Sequence, residues 1–129
     1  MSVDLSTRSP YYKGMTVIEP PCWDFKQPSV LSEDGEKAYN AILKFLVKND
    51  RTYTGGCKAF YSPKEWEIRG EKYGKGSVLI VVHDGGDLSP VFNLDYGDYT
   101  LSNKMNKALD KAGFYAESMT CWCTAIYKK

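Results

Sequence analysis

A chain of 129 residues, 43% of them hydrophobic, is near the commonest size for one domain and long enough to bury a core without metals or disulfides. Its 17 basic and 16 acidic residues leave a net charge of +1, which argues against electrostatic nucleic-acid binding, a mode that needs a concentrated basic stripe. The opening MSVDLSTRSP lacks the basic and apolar regions of a signal peptide, and the longest apolar run, Val78–Val82, is far too short to cross a bilayer, so a cytoplasmic protein without membrane association is expected.

Residues 1–31 hold Pro10, Pro20, Pro21 and Pro28, which exclude a long helix. Only Gly14–Glu19 reads as a short strand. The rest is expected to be an extended arm, pinned to the domain by Tyr11, Tyr12, Trp23 and Phe25. A single α+β domain then spans 32–129. Ser32 can cap a first helix whose opening turn carries Glu33, Asp34 and Glu36, a good match to the positive end of the helix dipole. Ala38, Ile42, Phe45 and Leu46 make its apolar stripe, and Asn49-Asp50 ends it.

Thr52–Ser62 reads as a strand interrupted at Gly55-Gly56, where a bulge, a turn or the close approach of another group is expected. Ser62-Pro63-Lys64-Glu65 is a capping box with proline at the first helical position, opening a short helix through Trp66 to about Lys72. Ser77–His83 and Val91–Tyr96 read as the two strands of a hairpin around DGGDLSP. Thr100 is the expected cap of a third helix containing Leu101, Met105, Ala108, Leu109 and Ala112, with Gly113 placed to end it. FYAESMTCWCTAIY reads as one long closing strand, central or bulged because it is apolar on both parities. These elements predict a mixed or antiparallel sheet of four to five strands, with three helices packed mainly on one face.

The hairpin carries the candidate site. With His83 opposite Val91, Val81 faces Asn93 and Leu79 faces Asp95, while Val78, Ile80 and Val82 meet Phe92, Leu94 and Tyr96 on a dry side. A slip of one residue would bury Asn93 and Asp95 among the apolar residues, so the pattern selects this register. Cys57, after the paired glycines, could join His83 and Asn93 or Asp95 as thiol, activating imidazole and orienting group of a cysteine-dependent hydrolase or transferase. As His83 is the only histidine, that set is forced rather than chosen.

No cofactor is implied. Cys22, Cys57, Cys121 and Cys123 lack a C-x-x-C knuckle and read as reduced thiols, and HDGGD lacks the alternating ligands of a calcium loop. GGCK is not a Walker loop, although backbone amides at Gly55 and Gly56 could cradle an anion. Lys104, Lys107 and Lys111 on the last helix, with Lys128–Lys129, form the most basic surface and read as a solvated helix face. The ten tyrosines and three tryptophans favour a binding protein, because these residues dominate binding hot spots. Its ligand surface is expected at Gly55, Gly56, Asp84, Gly85, Gly86, Asp87 and Tyr96, and a homodimer through the final strand or the N-terminal arm is an alternative assembly.

TGGCKAFYSP (Thr54–Pro63), VVHDGGD (Val81–Asp87), FNLDY (Phe92–Tyr96) and CWCTAIY (Cys121–Tyr127) resemble small uncharacterised proteins of bacteriophages and other mobile elements, over Ala38 to Tyr127. The resemblance brings no activity and no functional residue. It implies a compact accessory protein made in a bacterial host cytoplasm, of the kind that binds a host factor or sequesters a small ligand.

Overall fold

Helix α1 (Glu33–Lys48) forms as its cap requires: the Ser32 hydroxyl accepts from the Gly35 amide at 3.0 Å, and three acids occupy the first turn. The computed structural model describes residues 27–53, 58–71, 74 and 76–129. The strand expected at Gly14–Glu19 and most of the N-terminal arm lie outside them, as does the Gly55-Gly56-Cys57 break.

Strand β1 (Phe60–Tyr61) is the part of the strand expected at Thr52–Ser62 that is found among the described residues. Helix α2 (Pro63–Ile68) follows, with both bonds of its capping box present, Glu65 N to Ser62 Oγ at 3.1 Å and Ser62 N to Glu65 Oε1 at 3.0 Å. It stops earlier than expected, with Arg69 as its C-cap. Strand β2 (Leu79–Val82) pairs antiparallel with β1 on one side and with β4 (Cys123–Lys128) on the other, and β3 (Phe114–Thr120) pairs with β4 at the edge. The sheet order is β1-β2-β4-β3, antiparallel throughout.

Three expectations are corrected. Val91–Tyr96 is not a strand: helix α3 (Ser89–Phe92) and a 3-10 turn (Leu94–Tyr96) occupy it, so β2 has no hairpin partner there. Pro90 suits the first turn of a helix and supplies no ladder donor, and the alternation of Val91, Asn93 and Asp95 with Phe92, Leu94 and Tyr96 imitated a strand. Helix α4 (Tyr99–Ala112) is capped by Asp98, whose carboxylate accepts from Leu101 N at 3.1 Å, rather than by Thr100. Gly113 ends it in the left-handed region, φ +94°, as expected. The closing segment is two strands joined at Cys121-Trp122, with a register shift between Ser118 and Thr120, rather than one long strand.

Both faces of the sheet are covered. Leu79 and Val81 of β2, Ile126 of β4, Phe114 of β3 and Phe60 of β1 pack with α1, α3 and α4, where Ile42, Leu46, Met105 and Leu109 are almost fully buried. The opposite parity, Ile80, Val82, Cys123 and Ala125, packs under Trp66 of α2, with Tyr61, Met119, Trp122 and Tyr127 at its margin. Among the described residues no helix is long and apolar enough to cross a membrane.

The approach of α1 to β2 is set at Gly35. A Cβ there would lie 2.5 Å from the Val78 carbonyl oxygen and 3.0 Å from Leu31 Cδ2. Alanine would gain about 1 kcal/mol of helix propensity but must force backbone and helix apart, typically a cost of about 1–3 kcal/mol. Gly35→Ala is therefore expected to lower the urea midpoint without changing the m-value. A raised midpoint would show that the contact relaxes freely.

Candidate functional site

The chain leaves β2 at His83 and reaches α4 at Tyr99 through a connector of short helical turns. His83 anchors it. Its backbone amide donates to Trp122 O at 2.9 Å, extending the β2–β4 pairing by one rung. Its ring is 2% exposed, lies parallel to Phe92 with centroids 5.3 Å apart, and bonds Thr124 Oγ1 through Nε2 at 2.9 Å. Nδ1 is buried with no hydrogen-bond partner. Burial pushes the imidazole pKa down to about 4, outweighing the opposite pull of the ring's own backbone and of the Asp84 carboxylate.

Ser89 latches the loop that follows. Its hydroxyl donates to the His83 carbonyl at 2.6 Å and accepts from the Gly85 amide at 2.8 Å. Gly85 and Gly86 both take positive φ, +126° and +65°, which lets the chain reverse within so few residues. Asp87 ties the loop to the segment before the paired glycines: Tyr53 N donates to Asp87 Oδ2 at 3.0 Å, and Asp87 N donates to Tyr53 O at 2.7 Å. The Arg51 guanidinium adds a bond to the Asp87 carbonyl at 3.2 Å. Farther on, Ser102 Oγ of α4 donates to Val91 O at 3.0 Å and fixes α3 to that helix.

The residues singled out from the sequence are thus divided. His83 faces inward among Phe92, Thr124 and Ser89. Asn93 is half-buried, and its side-chain oxygen accepts from Asp95 N at 3.0 Å to cap the 3-10 turn. Asp95 is exposed on that turn. The strand pairing that would have set Asn93 and Asp95 beside His83 is absent. Cys57, with Gly55 and Gly56, lies outside the described residues. Asp84 and Gly86 are exposed, Gly85 and Asp87 half-buried, and Tyr96 exposed. Among the described residues no cluster of histidine, cysteine, aspartate or glutamate could hold a metal ion.

Of the large apolar side chains that the connector presents outward, only Tyr96 was expected in a binding surface. Leu94, Tyr96 and Tyr99 are 57%, 60% and 60% exposed within six residues, interleaved with exposed Asp95 and Asp98. From Asp84 to Asn103 the chain carries four aspartates and no lysine or arginine. Buried Ser89, Ser102 and Thr124, which hold this ridge in place, were also missed. The Ser89-Pro90 pair was their one signal, a helix-opening dipeptide like Ser62-Pro63, although Ser89 is the first residue of α3 and its hydroxyl bonds back to the loop rather than capping the helix.

A second aromatic group lies on the other face of the sheet. Trp66 meets Tyr61 edge-on at 5.2 Å and Trp122 at 6.2 Å, and the Arg69 guanidinium lies 5.1 Å from the Trp66 ring. Trp66 Nε1 is buried without a hydrogen-bond partner. This group closes the smaller core. No protein-family model, curated protein or solved structure matches the chain.

His83 ties stability to acidity. In the folded chain its ring stays neutral down to about pH 4, whereas an unfolded chain takes up the proton near pH 6.5. Its contribution is whole above about pH 6.5 and is lost as the pH falls toward about 4, an expected decline on the order of 3 kcal/mol. Urea melts of wild type and His83→Gln at about pH 7 and about pH 4.5 check this. The variant should lose clearly less stability between the two. Equal losses would remove His83 as the titrating group.

Proposed function

We propose that this is a non-enzymatic binding protein, and that the ridge of Leu94, Tyr96 and Tyr99, with Asp95 and Asp98, receives a protein partner whose contacting face is apolar and basic. One observation carries the reading: three large apolar side chains stand more than half exposed within six residues on a backbone fixed from beneath. Exposed apolar groups set close together mark interaction surfaces far more often than single exposed residues do, and tyrosine is among the commonest hot-spot residues. The aspartates between them favour a cationic rim on the partner and speed its approach. On this reading the chain is a phage-type accessory protein, and the partner is a factor of the bacterial host cytoplasm.

The cysteine-dependent alternative has less support. A general base needs a proton-accepting nitrogen open to the nucleophile and a pKa near the working pH. His83 is buried to 2% exposure, its Nε2 is engaged by Thr124, and its pKa is driven to about 4.

The test compares wild type with Leu94→Ser/Tyr96→Ser/Tyr99→Ser in pull-downs from bacterial lysate, read by quantitative mass spectrometry. All three positions are exposed, so thermal melting of the variant should stay close to that of wild type. A protein retained at near-stoichiometric amount by wild type and lost by the variant is the expected result. Identical retention profiles for the two proteins would end the assignment of this ridge.

A further inference from the structure

A second surface lies where α1 and α4 pack side by side. Between them runs a groove of about 660 Å³, rimmed by Lys44 and Lys48 on one side and Lys104, Lys107 and Lys111 on the other. All five lysines are exposed, and none makes an ion pair among the described residues. Among the described residues Glu33 pairs with Lys37, Asp34 with Lys128 and Asp110 with Lys129, while exposed Asp50, two residues after Lys48, pairs with no lysine. Glu36 lies two turns before Lys44 on α1, about 12 Å along the helix axis.

The floor is apolar and mostly small. Ala41 and Phe45 contribute from α1, Ala108 and Ala112 from α4. On each helix the lysines and the floor residues follow i, i+3, i+4 and i+7 spacing, so each presents a narrow apolar stripe beside a row of ammonium groups. A third helix laid into the groove would meet small residues that let its axis approach, and two flanks of positive charge. In coiled coils, charges flanking an apolar seam choose the partner in the same way.

We infer that this groove binds an amphipathic helix of a protein partner that carries an apolar seam flanked by glutamate or aspartate. The occupant follows from charge and shape together. Five clustered lysines favour an anionic ligand by charge complementarity, and a floor of three alanines and Phe45 between two packed helices suits an inserted helical stripe. A nucleic acid or an anionic membrane would use the lysines and leave the floor idle. This surface is separate from the tyrosine ridge, and either can fail without the other.

The probe is a labelled synthetic helix with a leucine seam and glutamate flanks, titrated with the full chain and read by fluorescence anisotropy. A control helix has lysine flanks. The glutamate helix should bind at least about tenfold more tightly, and its affinity should fall with added salt. Lys44→Glu/Lys48→Glu/Lys107→Glu should reverse the preference. Ala112→Trp, which obstructs the floor without changing charge, should weaken the glutamate helix by about tenfold. Circular dichroism and melting verify the fold of both variants; if Ala112→Trp fails to fold, the charge reversal decides alone. Equal binding of the two helices, or unchanged binding by the charge-reversed protein, overturns the inference. So does tighter binding of single-stranded DNA or phosphatidylglycerol vesicles than of the glutamate helix.

Discussion

Strand β2 has only two edges, and both are taken. Phe60 and Tyr61 pair along one, Cys123 to Ile126 along the other, and all four of its residues are buried. A strand apolar on both parities must be covered on both faces as well, and it is, by α1, α3 and α4 on one and by Trp66 of α2 on the other. Whatever follows β2 in the chain therefore has no place in the ladder beside it. The connector from His83 to Tyr99 folds as short helical turns, with α3 packed on one face of the sheet, because the edge it would have joined belongs to β4. Its polar residues then face water, cap turns or, in His83 and Ser89, bond inward, rather than line a sheet.

Much of the fold was legible because the informative residues act locally. Ser32, the Ser62–Glu65 box and Gly113 each satisfy backbone groups within one helical turn, so their meaning survives without tertiary context. The α+β class followed from the same elements, which were compatible with a mixed as well as an antiparallel sheet. The misread segments depended on distant partners. Val91–Tyr96 alternates as a strand does, yet whether it pairs is decided by residues 123–126, some thirty positions away. The turn at Cys121-Trp122 carries no glycine, proline, asparagine or aspartate, so nothing local announced it. The candidate site inherited the hairpin error. His83 was rightly singled out as unusual, but its surroundings of Thr124, Phe92 and Ser89 could not be read before the β2–β4 register was known.

Net charge hid a separation of charge. A balance of +1 correctly describes the whole chain and describes no part of it. Helix α4 begins at Asp98 and Tyr99 and carries Lys104, Lys107 and Lys111 along its later turns, in the order the helix dipole favours. The lysine row was visible in the sequence and passed for an ordinary solvated face. Only the packing of α1 against α4 sets Lys44 and Lys48 across from it and turns a row into a groove.

The Ser89 latch has a kinetic consequence. With its hydroxyl bonded to both His83 O and Gly85 N, with Ser102 holding Val91, and with the Tyr96 and Gly97 amides bonded to Asn93 O and Leu94 O, the tyrosine ridge sits on a hydrogen-bonded backbone. Such a surface has little backbone freedom left to lose on contact, so little of the contact energy is consumed in ordering it. If the ridge receives a partner as proposed, association would proceed as a rigid-body collision guided by the aspartates, with no slow rearrangement to await. Differences in affinity among partners would reside in how long each remains bound, and loosening Ser89 would slow arrival even with every ridge side chain intact.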